Sequence, residues 1–215
     1  MSSDLLEITL LSLAVSGAAT LISLLIGLPI GTWLALSRFR SRHLALSVVN
    51  TGMALPPVVA GLFVALLLWR SGILGGLGLM YTPGAMVIAE VVIATPIVIG
   101  LTVAALGQLD PRLELQLQGL GASRRQTVWW LWREARLPLL AAVMAAFGSV
   151  ISEVGAAMMV GGNIAHETRV LTTAIVLETG RGEFGNAIVL GFVLMALAFI
   201  VNGILTWAQQ RGPRR

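Results

Sequence analysis

Long apolar runs dominate this sequence: Ile8 to Leu36, Leu44 to Trp69, Pro83 to Leu106, Leu137 to Val160 and Asn186 to Trp207. Each is long enough for a helix to cross a hydrocarbon layer about 30 Å thick. Such a layer holds no water to satisfy backbone amides, so these runs must close their hydrogen bonds internally as helices. The expected fold is all-α, a polytopic membrane helix bundle of about five transmembrane helices. One transmembrane domain is expected over residues 1–215, with one long polar segment, 107–136, forming a cytoplasmic loop within it. Composition agrees, because 57% apolar against 11% charged residues leaves too little polar surface to coat a soluble globule.

Charge placement sets the expected orientation. The first run follows Asp4 and Glu7 and ends at Arg38, Arg40 and Arg42, the reverse of a cleaved signal peptide, which is basic at its start. With the amino terminus outside and the carboxyl terminus cytoplasmic, those three arginines fall inside. So do Arg112, Arg124, Arg125, Arg133 and Arg136 of the polar segment and Arg211, Arg214 and Arg215 of the tail. Arg70, Arg169 and Arg181 remain outside, which is the bias expected of a plasma or inner membrane protein. Trp33, Trp69 and Trp207 fall near predicted span ends, where indole rings prefer to sit. The arginines bound apolar runs rather than lining one face, so they predict contact with lipid and none with nucleic acid.

Several chemistries are excluded. There is no cysteine, hence no thiolate metal site or thiol nucleophile. There is no lysine, hence no phosphate-cradling G-x-x-x-x-G-K-[ST] loop, and any ATP must be bound by another subunit. His43 and His166 are expected on opposite sides of the membrane and cannot form a metal pair or a joint acid–base site. No catalytic, cofactor or metal residue is therefore expected in this chain.

Helix breaks are expected at Pro56 and Pro57 and again at Pro96, where backbone donors are missing inside apolar runs. Gly27 and Gly31, four residues apart, offer a surface against which another helix could pack closely. Val170 to Leu177 predicts a short helix that dips into the membrane surface without crossing. The polar segment reads as two short helices meeting near Gly119 and Gly121, a knob able to enter a partner's groove. Ala122, Ser123, Arg124 and Arg125 stand beside the turn as contact candidates, and the tryptophans at 129, 130 and 132 cannot all face one side of a helix.

Glu90 and Glu153 are the acids expected at membrane depth, both in the outer half, where a carboxylate must be paired, hydrogen-bonded or protonated. Glu153 then either contributes to an outer gate, held by Arg169 or by amides near Gly161 and Gly162, or braces neighbouring helices. With Ser152 beside it, this gate or pathway set includes Asn163, Thr172 and Thr173, whose polar groups could meet a passing tetrahedral anion or bond their own backbone. Arg169 and Arg181, among Glu167, Glu178 and Glu183, read as a docking face for an external protein or as a solvated loop.

Two stretches resemble known families. Gly121-Ala122-Ser123-Arg124 and Leu137-Pro138 are similar to the centre and end of the cytoplasmic signature of ATP-binding-cassette importer permeases, E-A-A, three residues, glycine, nine residues, I-x-L-P. Leu115-Gln116-Leu117 stands where E-A-A would be, with Glu114 one place earlier, and the later spacing is longer by about one helical turn. The second stretch, Ile151 to Ile164 with Thr168 to Glu178, resembles tungstate permeases; molybdate permeases are a looser match, with phenylalanine in place of Val154. The resemblance implies a type I importer permease working as a homodimer. It also implies two cytoplasmic ATPase subunits holding ATP and Mg, and an oxyanion, tungstate or alternatively molybdate, delivered by an extracytoplasmic binding protein. A stand-alone secondary transporter or channel using Glu90 and Glu153, or a membrane scaffold, are the other classes; the glycine-centred inner loop favours the importer.

Overall fold

A computed structural model describes residues 2–37 and 39–210, leaving Arg38, Arg211, Arg214 and Arg215 of the expected inner arginines outside the described residues. Helices form α1 (Ser2–Leu36), α2 (Arg42–Met53), α3 (Pro57–Leu68), α4 (Pro83–Gly107), α5 (Pro111–Gly119) and α6 (Arg124–Glu134). They continue as α7 (Arg136–Ile151), α8 (Gly155–Gly161), α9 (Leu171–Gly180) and α10 (Phe184–Gln210), and no strand occurs among the described residues. Proline starts α3, α4 and α5, a position whose amide has no helical acceptor, and Thr82 and Asp110 cap the latter two.

Three helices cross alone by length and composition, Asp4–Leu36, Pro83–Gly107 and Phe184–Trp207. The second expected crossing is bent, and a second bend falls where the polar segment meets the fourth run. Helices α2 and α3 meet at 98° across Pro56 and Pro57, and each 12-residue half is about 18 Å long, too short to span alone. Helices α6 and α7 meet at 74°. The fourth run is not continuous to Val160 as expected: α7 stops at Ile151 and α8 starts at Gly155, with Ser152, Glu153 and Val154 between.

The expected break at Pro96 does not occur. Helix α4 runs through it unbroken, since one proline removes a single rung, and Gly52 of α2 covers the ring. A Cβ on Gly52 would come within 2.9 Å of Pro96 Cγ. The short helix expected at Val170 to Leu177 is α9, ten residues long.

Helix α1 lies along α4, and the glycine pair lets the two approach closely. A Cβ on Gly27 would sit 2.7 Å from Val98, and one on Gly31 2.7 Å from Thr102. Around this axis α3 and α8 close the core, with Val15, Ala60, Val64, Met86, Ala89 and Val160 buried together. Helix α10 packs one side, through Leu190, Leu194 and Leu197, on Phe147, Ile151 and Leu171, and presents Phe192, Phe199 and Ile204 outward.

Contacts fix which segments share an end of the bundle. Trp132 of α6 bonds Thr32 near the carboxyl end of α1, and His166 bonds Glu7 near its amino end. Those two points of α1 are 25 residues, or about 38 Å, apart. The arginine-rich segment and the 162–170 loop are therefore at opposite ends.

Gly27→Leu is expected to destabilise the fold by about 1–3 kcal/mol, because Val98 must be displaced. Gly17→Ala, with nothing within 4 Å, should leave thermal unfolding in detergent unchanged or slightly raised.

Candidate functional site

The arginine-rich end is built around one turn. Helix α5 closes with the Gly121 N–H donating to the Gln118 carbonyl (2.9 Å) and the Ala122 N–H to that of Leu117 (3.0 Å). Gly121 adopts φ +79°, the left-handed conformation this paired closure requires and that L residues resist. Ser123 then opens α6: its N–H donates to Gln126 Oε1 (2.8 Å) and its Oγ accepts the Gln126 N–H (3.4 Å). Gly119, Gly121, Ala122 and Ser123 thus make a defined helix–turn–helix knob, with Arg124 and Arg125 exposed at its tip.

The tryptophans of α6 split as their spacing demands. Trp132 turns inward and donates from Nε1 to Thr32 Oγ1 at 2.8 Å, while Trp129 and Trp130 remain exposed and Arg133 lies 4.9 Å over the Trp130 ring. This indole ties the knob to the bundle by a side-chain hydrogen bond, beside the apolar packing of Leu113 and Leu131 on Leu36, Ala105 and Leu106.

The opposite end is organised by the interruption after α7. Ser152, exposed, returns its hydroxyl to the Gly148 carbonyl at 2.8 Å. Glu153 Oε1 accepts the Ala156 N–H at 3.0 Å and so caps α8, while its carbonyl accepts the Thr172 hydroxyl at 2.8 Å. Ser12 of α1 accepts the Leu171 N–H at 2.8 Å, and Thr173 accepts that of Val170 at 3.1 Å. Four segments are joined here by side-chain to backbone bonds.

The loop from Gly161 to Val170 is held from within. Thr168 donates its hydroxyl to the Gly161 carbonyl (2.6 Å) and accepts the Ile164 N–H (2.9 Å), while Gly162 and Asn163 both take positive φ. Arg169 Nε donates to Asn163 Oδ1 at 3.2 Å. Arg169 is therefore not the partner of Glu153, whose carboxylate is taken up by the nearer amide of Ala156. Likewise Thr172, Thr173 and Asn163 spend their polar groups inside the protein, the common fate of hydroxyls in apolar segments.

Glu90 joins this cluster from α4. It and Glu153 are both buried and line a cavity of about 10 Å³ together with Ser12, Ser16 and Thr172. Sequence reasoning missed Ser12 and Ser16. Their signal was present, because Ser12, Ser16, Thr20 and Ser23 recur every three or four residues and all four are buried. Of the expected site residues, Glu153, Thr172 and Thr173 come together, Arg169 pairs with Asn163, and Pro56 and Pro57 mark a real bend.

On the exposed rim, His166 Nδ1 lies 2.9 Å from Glu7 Oε2, with Asp4, Glu167 and Arg169 around a cavity of about 80 Å³. The hydrogen bond to Glu7, and then its charge, raise the His166 pKa above the ordinary 6.5; Asp4 adds to this, and Arg169 opposes it.

Residues 27–211 match the family described as binding-protein-dependent transport system inner membrane component. This chain belongs to that family. A probable anion ABC transporter permease of Haloferax volcanii is 38% identical, over 98% of this chain and 93% of its own. The tungstate uptake system permease of Peptoclostridium acidaminophilum is also 38% identical, over 94% of this chain and 89% of its own. Among solved structures, an inward-facing form of the MetNI methionine ABC transporter superposes with a TM-score of 0.74 at 21% identity, covering 98% of this chain and 95% of that one. The bundle of this inner-membrane component is thus the fold of ABC importer permeases.

Because the His166 pKa is raised on folding, the Glu7 contact is fully present below pH 6.5 and is lost as pH rises through the folded value. Hydrogen exchange in the 162–170 loop should accelerate across that window, and Glu7→Gln should flatten the dependence. Exchange independent of pH in wild type, after correction for intrinsic rates, would contradict this.

Proposed function

We propose that this chain is the membrane-spanning permease subunit of an ATP-binding-cassette importer that carries an oxyanion, with tungstate as the cargo. The observation that carries the reading is full-length likeness to a tungstate uptake permease, joined to a solvent-exposed knob of the kind that enters a partner's groove. Selection of molybdate is the second reading, and Val154, where molybdate permeases resemble this stretch with phenylalanine, favours tungstate.

In this reading the arginine-rich end is cytoplasmic. Arg40, Arg42, Arg112, Arg124, Arg125, Arg133 and Arg136 gather there, while Arg70, Arg169 and Arg181 lie at the other end, as the Trp69–Tyr81 and Gln209–Leu137 contacts support. The amino terminus is then outside. Gly121 and its neighbours dock an ATPase subunit that binds ATP and Mg, and an external binding protein delivers the anion to a homodimer of this chain. The Glu153–Thr172 and Leu171–Ser12 bonds close the outer gate. ATP-driven movement of the knob reaches them through Trp132 and α1.

Gly121→Val places a β-branched residue at positive φ, which costs about 1–2 kcal/mol locally, and should lose the ATPase on co-purification while the bundle still melts cooperatively. Tungstate uptake by this chain alone in liposomes would refute the importer reading. Competition of tungstate uptake by molybdate in cells with and without the gene separates the two cargoes. Trp132→Phe removes one hydrogen bond worth about 1 kcal/mol, so ATPase docking should persist while anion carried per ATP falls; an unchanged ratio would exclude Trp132 from coupling.

A further inference from the structure

The cavity between Glu90 and Glu153 borders the Thr172 and Ser12 bonds of the proposed gate, and that reading gives its two carboxyl groups no role of their own. Among the described residues its lining holds two carboxyl groups and the hydroxyls of Ser12, Ser16 and Thr172, with no arginine or histidine. Glu153 has a compensating donor, the Ala156 amide at the start of α8. Glu90 does not. It is only 3% exposed, Ser16 is the side chain that bonds it, and its Oε2 is sealed from solvent without a hydrogen-bond partner. The other hydroxyl protons are spent, that of Ser12 on the Ile8 carbonyl and that of Thr172 on the Glu153 carbonyl. Two carboxyl groups buried together, one with an unpartnered oxygen, call for a positive charge between them.

We propose that this cavity is a binding site for one monovalent cation, a proton or a dehydrated sodium ion, held between Glu90 and Glu153. At about 10 Å³ it has room for one small bare ion at most, which excludes a hydrated divalent ion and the anionic cargo. Its ligands are all oxygens, the donors hard cations take: the free Glu90 Oε2, the Glu153 carboxylate and the surrounding hydroxyls. The occupant draws together α1, α4, the α7–α8 break and the start of α9. Losing it leaves two like charges in one pocket and pushes α4 away from the break, against the Thr172–Glu153 and Leu171–Ser12 bonds. The bound cation therefore favours the closed arrangement. This goes beyond the transport reading and holds whichever anion is carried.

The test uses the full-length permease in lipid nanodiscs with its co-purifying subunits. Thermal unfolding is followed as sodium chloride replaces choline chloride at constant ionic strength, and infrared spectra before and after H₂O–D₂O exchange monitor the carbonyl stretch of a neutral carboxylic acid. With sodium as occupant, wild type shows saturable stabilisation that choline does not give. With a proton, it shows a neutral-carboxyl band at neutral pH in sodium-free buffer. Glu90→Gln should abolish whichever signal is seen, Glu153→Gln should alter it, and Glu183→Gln, on the exposed turn before α10, should leave it intact. The Glu153 variant decides the matter if the Glu90 variant does not assemble. Absence of both signals in wild type, or a signal that survives both substitutions, overturns the proposal.

Discussion

The contact between α1 and α4 is the constraint on which the rest of this structure depends. In hydrocarbon, apolar side chains gain little by meeting one another, so close packing and hydrogen bonding must hold helices together. Gly27 and Gly31 remove the side chains that would hold the two helices apart, and the Ser12–Ser23 stripe faces inward, where Ser23 bonds the Val91 carbonyl and Ser12 accepts the Leu171 amide. Once that pair is fixed, α1 offers Thr32 to the knob at one end and Ser12 and Glu7 to α9 and the loop at the other.

The apolar runs, the glycine-centred knob and the short helix after the loop could all be read from residues, because each depends on local pattern. Direction could not. Pro56 and Pro57 announce a break, but a 98° turn depends on where α3 can bury Ala60, Gly61 and Val64, against α8 and the rest of the core. Pro96, a lone proline, produced no break: α4 loses a single rung there and stays continuous, with Gly52 of α2 packed close to the ring. The gap after Ile151 had no proline or glycine pair to mark it. It exists because the Glu153 side chain caps a new helix and its carbonyl accepts a hydroxyl nineteen residues further on.

The candidate gate was half legible for a related reason. A carboxylate in an apolar run is conspicuous, so Glu90 and Glu153 stood out at once. Their partners did not, because serine and threonine inside a helix read as neutral filler until their spacing is counted along one face. Arg169 was the natural choice to neutralise Glu153 by charge alone. Asn163, held at φ +54° within the same loop, captures it first.

A helix bonded at both ends passes displacement differently from one bonded at either. The 35-residue α1 is packed tightly along α4 through its middle, so it moves as a rod rather than bending freely. A shift of the knob that keeps the Trp132–Thr32 bond must rotate or slide α1, and Ser12 moves with it. The bond Ser12 makes is to a backbone amide at the first turn of α9, which has no other helical acceptor. Breaking it leaves that amide unsatisfied in a buried place, and the Thr172–Glu153 bond beside it holds the next residue. In the proposed transport cycle the two bonds, made by adjacent residues, would be lost together or kept together, as a two-state gate requires.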